Sequence, residues 1–211
     1  MAQLFSRPAT TIFRVVLTLT PLAAAAGGGL TYAWLRSDAA WGVGKPAPQP
    51  IPFRHDLHAG VLKIDCRYCH TGAERAADAG MPSAQTCMTC HSQIWAGASV
   101  LEPLRTALAL DTPLRWRSVS RLPDFAYFHH GAHVSKGVTC ATCHGRVEEM
   151  PKTVKARTLS MGWCLECHRD PGSRLPLHTA VLATAEKKQP SGQAPRAHDT
   201  SLLMSCSTCH R

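Results

Sequence analysis

The sequence is poor in aromatic residues, which make up 6% of its 211 positions. With so few large rings, and with short segments between its repeated motifs, the chain is not expected to build a conventional hydrophobic core of matching size. It also has no cysteine outside one repeated motif, so no thiol remains for a structural disulfide. Most of the stability of the fold must therefore come from the repeated motif and from what it binds.

That motif is Cys-x-x-Cys-His, and it occurs five times, at 66–70, 87–91, 140–144, 164–168 and 206–210. Two thiols three positions apart can each form a thioether to one vinyl group of a haem, and the adjacent histidine can then bind its iron. A zinc ribbon, a thioredoxin-like redox pair or a disulfide framework would not require a histidine after every second cysteine. The sequence therefore predicts five covalently bound haem c groups. The thioether cysteines are Cys66, Cys69, Cys87, Cys90, Cys140, Cys143, Cys164, Cys167, Cys206 and Cys209, and the proximal iron ligands are His70, His91, His144, His168 and His210.

Acidic residues are scarce, and 14 of them against 23 basic residues give a formal net charge of +9. Such an excess can indicate nucleic-acid binding or an anionic surface as partner. Each haem brings two propionates, however, so five haems add about ten negative charges when ionised. We therefore predict a nearly neutral loaded protein that has no nucleic-acid partner.

Charge is absent from positions 15–35, a stretch of 21 residues near the amino terminus. At about 1.5 Å per residue a helix of this length reaches close to 30 Å, the thickness of a bilayer hydrocarbon core. We predict a membrane anchor within residues 1–43, although the small residues around Ala23 leave a cleaved signal peptide as the alternative. Because haem c is attached outside the cytoplasm, the expected location is the bacterial inner membrane, with a single span and the haem domain in the periplasm.

The remaining chain is predicted to be mainly α-helical and irregular, with little or no sheet and with the haems as its core. Alternate prolines at 44–52 favour an extended linker between the anchor and the rest. A pentahaem cytochrome c domain is expected at 53–211.

A repeated Phe-x-His-x-x-His organises this domain, beginning at Phe53 and again at Phe128. Each copy is followed by two haem motifs, which predicts dihaem modules at 53–91 and 128–168 and a solitary fifth site at 206–210. A spacing of three places two histidines on one side of a helical turn, where they can supply the second axial ligands of two irons. The predicted distal ligands are His55, His58, His130 and His133, whereas His129 has Arg54 as its counterpart and is interpreted as incidental.

One haem is left without a matched histidine, and a methionine thioether is the natural alternative. Met150 and Met161 are the best placed by sequence, which predicts four bis-histidine haems and one with histidine and methionine. Met81, Met88, Met204, His178 and His198 remain further candidates for this position.

From about residue 50 to the end, the sequence resembles the pentahaem cytochrome c subunit of bacterial alternative complex III, a multihaem cytochrome of the class III or c7-like kind. Only the segment 171–205 matches weakly. The resemblance rests on the order of segments that come after the membrane anchor. These segments are Phe-x-His-x-x-His, Cys-Arg-Tyr-Cys-His, Thr-Cys-Met-Thr-Cys-His-Ser-Gln-Ile, Leu-Pro-Asp-Phe, the second Phe-x-His-x-x-His, Cys-His-Gly-Arg-Val-Glu-Glu-Met-Pro, Met-Gly-Trp-Cys-Leu-Glu-Cys-His-Arg and Cys-Ser-Thr-Cys-His-Arg.

The resemblance implies a non-catalytic subunit of a quinol-oxidising respiratory complex. Its implied partners are an iron-sulfur subunit and integral membrane subunits that oxidise quinol. A monohaem cytochrome c, another soluble carrier or a terminal oxidase is the implied acceptor. Three alternatives stay open: a stand-alone anchored quinol dehydrogenase, a multihaem reductase with one open haem, and a soluble electron-storage cytochrome.

Overall fold

The computed structural model describes residues 6–173 and 200–210. The chain forms two compact units, Met1–Gly42 and Val43–Arg211. Within the described residues the secondary structure is helical or irregular, and the two β-bridges, Pro46 with Val154 and Ala126 with His210, are isolated pairs outside any strand. The predicted fold class, mainly helical with little or no sheet, is confirmed.

The first unit is built on one helix, α1, at Arg7–Leu35. Its 29 residues are long enough and apolar enough to cross a membrane, although a signal sequence near the amino terminus would pass the same test. Two threonine hydroxyls are satisfied within the helix, because Thr11 donates to the Arg7 carbonyl and Thr18 to that of Arg14. The helix begins eight residues before the uncharged stretch, since arginine is compatible with helix geometry.

The second unit consists of short helices joined by loops. A π-helical turn lies at Asp56–Val61, and 3₁₀ turns lie at Ser99–Leu101, Val147–Glu149, Pro171–Ser173 and Leu202–Met204. The α-helices are α2 at Cys66–Cys69, α3 at Ala84–His91, α4 at Glu102–Ala109, α5 at His130–Val134, α6 at Cys140–His144, α7 at Met161–Arg169 and α8 at Cys206–Cys209.

Every Cys-x-x-Cys-His motif has its cysteines on one of these helices, and three of the five helices begin at a capping side chain. Asp65 accepts a hydrogen bond from the backbone N–H of Arg67 at the start of α2. Ser83 and Ser160 cap α3 and α7 in the same way. A capping side chain satisfies a backbone donor that the first helical turn leaves free. Local sequence therefore winds these motifs into the helical turn that holds the two cysteines on one side.

The polypeptide core is small and lies between α3 and α4. The five buried hydrophobic residues of the described chain are Ile51, Ala84, Leu101, Leu104 and Ala107. Leu104 is the most deeply buried, at 1% exposure. Five such residues cannot hold together a unit of this length by hydrophobic burial alone.

The proline-rich segment predicted as a linker lies within the second unit and is hydrogen-bonded to distant parts of it. The backbone N–H of Gly44 donates to the Lys155 carbonyl over 2.8 Å. The Gln49 side chain both donates to the carbonyl of Arg117 and accepts from its backbone N–H. Prolines favour an extended backbone, whose free carbonyl and N–H groups can pair with another segment. The segment from Gly44 onward is thus held by hydrogen bonds against other parts of the second unit.

Two glycines allow the halves of this unit to approach closely. A Cβ on Gly60, in the π-helical turn, would clash with the carbonyl oxygen of Glu148. A Cβ on Gly131, in α5, would stand 2.8 Å from the carbonyl oxygen of Glu74. Each contact joins a residue of 53–91 to a residue of 128–168. Glycine at these positions therefore allows the two modules to pack closely.

Candidate haem sites

The two copies of Phe-x-His-x-x-His have nearly the same geometry. Phe53 stacks on His58 with ring centres 4.4 Å apart and planes inclined by 27°, and Phe128 stacks on His133 at 4.5 Å and 27°. The first histidine of each copy meets the phenylalanine edge-on, at 84° for His55 and 87° for His130. The phenylalanine thus fixes the orientation of both imidazoles in each module.

Three of the four predicted distal histidines face a motif histidine. The ring centres of His130 and His144 are 6.3 Å apart and those of His133 and His168 are 6.1 Å apart, with planes inclined by 5° and 20°.

The third pair consists of His58 and His91, whose ring centres are 6.2 Å apart with planes inclined by 56°. A metal bound between two imidazole nitrogens at about 2 Å on each side would separate the ring centres by about 6 Å. The spacing in all three pairs fits a shared iron.

All nine histidines of the motifs and the repeat have their Nδ1 atom engaged. Where the partner is a backbone carbonyl, which can only accept, Nδ1 must carry the proton, and the Nε2 lone pair is left available for a metal. The carbonyl partners are Arg54 for His58, Gly80 for His70, Ile94 for His91, Ala77 for His130, His129 for His133, Leu203 for His168 and Phe125 for His210, over 2.7 to 3.2 Å. The hydroxyl partners are Thr153 for His55 at 2.8 Å and Ser120 for His144 at 3.4 Å.

Burial keeps the central imidazoles neutral. The pKa of His55 is lowered to about 4 by burial and next by the positive charges of His70, His58 and His144. The pKa of His144 is also lowered to about 4, by burial and then by the charges of His130 and His70. A neutral imidazole is the form that binds a metal.

The donor set suits haem c rather than a bare metal ion. Among the described residues no group of three or more His, Cys, Asp or Glu side chains converges as a zinc site would require. Instead, thiol pairs lie on single helical turns beside opposed imidazole pairs. Apolar side chains next to the motifs, such as Ile94, Phe125 and Leu202, are exposed by 59%, 63% and 75% and could pack against a porphyrin.

Comparison with known proteins bears on this geometry. No protein-family model matches the sequence. The chain is 29% identical over 166 residues to the multiheme cytochrome c subunit of menaquinone reductase from Nitratidesulfovibrio vulgaris. The aligned region covers 77% of this chain and 67% of that protein. The chain is therefore similar to a multihaem cytochrome c, which agrees with the Cys-x-x-Cys-His motifs as predicted sites of covalent haem attachment.

His129 differs from the other histidines of the second repeat copy. Its Nδ1 accepts a hydrogen bond from the backbone N–H of Ala132 over 3.2 Å and so caps α5. An accepting Nδ1 is the opposite of the donating Nδ1 found in His58 and His133. The structure gives His129 a local role in starting the helix.

The two candidate methionines occupy different places. The Met150 side chain lies against Gly145, with its Cε 3.4 Å from where a Cβ on that glycine would stand, and thus beside the third motif, whose His144 already faces His130. Met161 begins α7, one turn before Cys164, and is 60% exposed. His178 and His198 lie outside the described residues.

Sequence patterns did not point to two residues that support candidate ligands, one a repeat histidine and the other a motif histidine. Thr153 reaches His55 across 98 positions of the sequence, and Ser120 reaches His144 across 24. The carbonyls of Arg54 and His129 could have been found, because each lies four residues before the histidine it supports, which is the hydrogen-bond spacing of a helix.

Proposed function

We propose that this multihaem cytochrome c is the pentahaem electron-transfer subunit of a membrane complex that oxidises quinol, of the alternative complex III kind. The observation that carries the proposal is the set of opposed imidazole pairs near 6 Å, each joining a motif histidine to a repeat histidine. Two imidazoles occupy both axial positions of an iron and leave none for a substrate. Such sites suit the relay of electrons rather than the conversion of a bound molecule.

Each site would be held by one motif and one distal residue. The ring pairs support His58 as the distal ligand at the second motif, His130 at the third and His133 at the fourth. His55 is the repeat histidine that is left for the first motif. His210 would hold the fifth, with Met161, Met150 or one of the histidines at 178 and 198 as its distal partner. Haem iron bound at these sites supplies reversible one-electron oxidation and reduction.

The chain would accept and release electrons one at a time. Oxidation of one quinol to quinone yields two electrons and two protons, and in this proposal both the quinol chemistry and the proton release take place on partner subunits. An iron-sulfur subunit would be the electron donor to this chain. A monohaem cytochrome c, another soluble carrier or a terminal oxidase would be the acceptor.

The proposed location is the bacterial inner membrane, with α1 as a single span and the haem unit in the periplasm. Supporting this, α1 is long and apolar enough to span a bilayer, and haem c is attached outside the cytoplasm. The similarity to a subunit of a menaquinone reductase supports a partner that handles a membrane quinone.

That same similarity favours a second candidate, in which the chain serves a complex that reduces quinone. The residues that hold the haems would be the same, and electrons would run the opposite way, from a reduced periplasmic cytochrome to quinone. Purified complex assayed in both directions separates the two candidates. Reduction of cytochrome c by quinol supports the first, and reduction of quinone by a reduced cytochrome supports the second.

The assembly is tested by purifying the tagged chain from detergent-solubilised membranes. Co-purification of a large iron-sulfur protein and a multi-spanning subunit is the expected result. Purification of the chain alone, with retained quinol oxidation, would instead establish the stand-alone dehydrogenase. Carbon monoxide added to the reduced protein is expected to leave the spectrum unchanged, and stoichiometric binding to one haem would establish an open site.

A further inference from the structure

We infer that the five haem sites form one unbranched row in the spatial order second, first, third, fourth and fifth motif. This inference rests on the proposed function, in that it takes all five motifs to bear haem. The second and fifth motifs are then the two ends of the row, where electrons enter and leave. The order in space differs from the order in sequence because the first motif lies between the second and the third.

The second motif adjoins the first. Tyr68, inside the first Cys-x-x-Cys, and Thr89, inside the second, share a hydrogen bond of 2.7 Å between their hydroxyl oxygens. The residues between the cysteines of these two motifs are therefore in direct contact.

The first motif also adjoins the third motif. His130 donates its backbone N–H to the Ala77 carbonyl, which also accepts from its Nδ1 over 2.8 Å. The backbone N–H of Gly131 donates to the Ala76 carbonyl. Ala76 and Ala77 belong to the loop that leaves the first motif, and His130 faces His144 of the third. The first motif is thus bound to the ligand pair of the third.

Close backbone approach agrees with this contact. A Cβ on Gly131 would stand 2.8 Å from the carbonyl oxygen of Glu74, which lies in the loop after the first motif. The first motif therefore has the second on one side and the third on another.

The third and fourth motifs are joined through α5. His130 and His133 lie three residues apart on this helix and face His144 and His168 respectively. One helical turn therefore carries the distal ligand of both sites.

The fourth motif adjoins the fifth. The Nδ1 of His168 donates to the Leu203 carbonyl over 3.2 Å, and Leu203 stands in the turn that leads into α8. Burial and then the charge of Cys209 raise the pKa of Cys164. The support of the fourth proximal histidine is therefore provided by the chain segment of the fifth site.

The order is tested by removing one attachment site at a time from the full chain. One variant carries Cys66→Ala and Cys69→Ala, and its matched control carries Cys87→Ala and Cys90→Ala. Each is expected to bind one haem fewer than the parent. After rapid injection of electrons, loss of the first site should leave the second haem far from the other haems. Electron transfer between the second haem and the others should then become slow. Loss of the second site should leave redistribution as fast as in the parent.

A slow phase in the control instead, or in neither variant, overturns the order. If either variant fails to load its remaining haems, an electron-density map of the loaded parent protein decides by iron positions. The iron of the first motif is expected between those of the second and third, and any other arrangement refutes the inference. Fewer than five haems in the parent, measured by pyridine haemochrome, counts against the proposed function and not against the order of the motifs.

Discussion

At the scale of single residues, the hydrogen bond at Nδ1 governs what each histidine can do. Seven of the nine motif and repeat histidines donate Nδ1–H to a backbone carbonyl. Such a bond fixes the tautomer and the ring orientation and raises the basicity of the nitrogen that binds the metal. His55 and His144 depend on side-chain hydroxyls instead, which makes them open to substitution.

Substitution of Thr153 by valine should raise the reduction potential of one haem. Valine keeps the shape but removes the hydroxyl that holds His55, so the imidazole becomes a weaker donor and stabilises ferric iron less. Leaving the part-buried Nδ1–H without a partner should also lower the free energy of unfolding by about 1 kcal/mol. Potentiometric titration of the haem absorbance measures the shift.

Thr153→Ser, which retains the hydroxyl, is the matched control and should titrate like the parent. Equal shifts in the serine and valine variants would show that the hydrogen bond to His55 does not set the potential.

Substitution of His133 by methionine should convert one bis-histidine site to histidine and methionine. A thioether in place of imidazole raises the potential of that site and adds a near-infrared absorption band in the ferric state. The ring pair with His168 places the change at the fourth motif.

His129→Asn provides the control, because asparagine is also a good helix cap and can replace the cap that His129 gives α5. It should alter neither the band nor the potential. Conversion of one haem to a high-spin form in the asparagine variant would make His129 a ligand after all.

At the scale of elements, short helices are placed by close contacts rather than by a broad apolar face. The described helices of the second unit have 4 to 9 residues, too few to be stable alone. α5 is held against the loop after the first motif by backbone hydrogen bonds at His130 and Gly131. Close approach at Gly131 is a condition for those bonds.

Substitution of Gly131 by alanine should therefore destabilise the loaded protein. The added Cβ would stand 2.8 Å from the Glu74 carbonyl oxygen and 3.0 Å from the Arg75 nitrogen, both backbone atoms that cannot turn aside. Overpacking of this kind costs about 1–3 kcal/mol. The midpoint of thermal unfolding, followed by haem absorbance, should fall.

Gly97→Ala is the matched control, because a Cβ there would meet nothing within 4 Å. Its unfolding midpoint should equal that of the parent or rise slightly, since alanine restricts the unfolded chain. Equal losses in both variants would remove the close contact as the explanation.

At the scale of the whole molecule, the two compact units predict separable properties. The haem motifs all lie in the second unit, whereas the described apolar helix long enough to span a membrane is in the first. Membrane attachment and haem binding should therefore respond independently to changes in the chain.

Replacement of residues 1–42 by a cleavable export signal should release the haem unit from the membrane. The number of haems per chain and the visible spectrum should match those of the parent, because no motif is altered. Partition between alkaline-washed membranes and the soluble fraction measures the first effect, and pyridine haemochrome the second. Continued retention in washed membranes would mean that a surface other than α1 provides the attachment.

The sequence predicted the helical, sheet-poor fold. Local features such as helix caps were predictable, whereas contacts between distant segments were not. Asp65, Ser83 and Ser160 are local caps, so the start of a motif helix could be read from neighbouring residues. The packing of 44–52 onto the haem-motif unit could not be read this way, because its partners at Arg117 and Lys155 are distant in sequence. Proline spacing describes the conformation of a segment but not what covers it.

The sequence by itself determined the chemistry of attachment. Thioether formation depends on the spacing of two cysteines and a histidine within five residues, and such short spacing is set by one helical turn. The tertiary structure decided which imidazole faces which, that Thr153 and Ser120 support His55 and His144, and that the first motif contacts both the second and the third. These relations join residues tens of positions apart, and only packing of the folded chain brings them within hydrogen-bond distance.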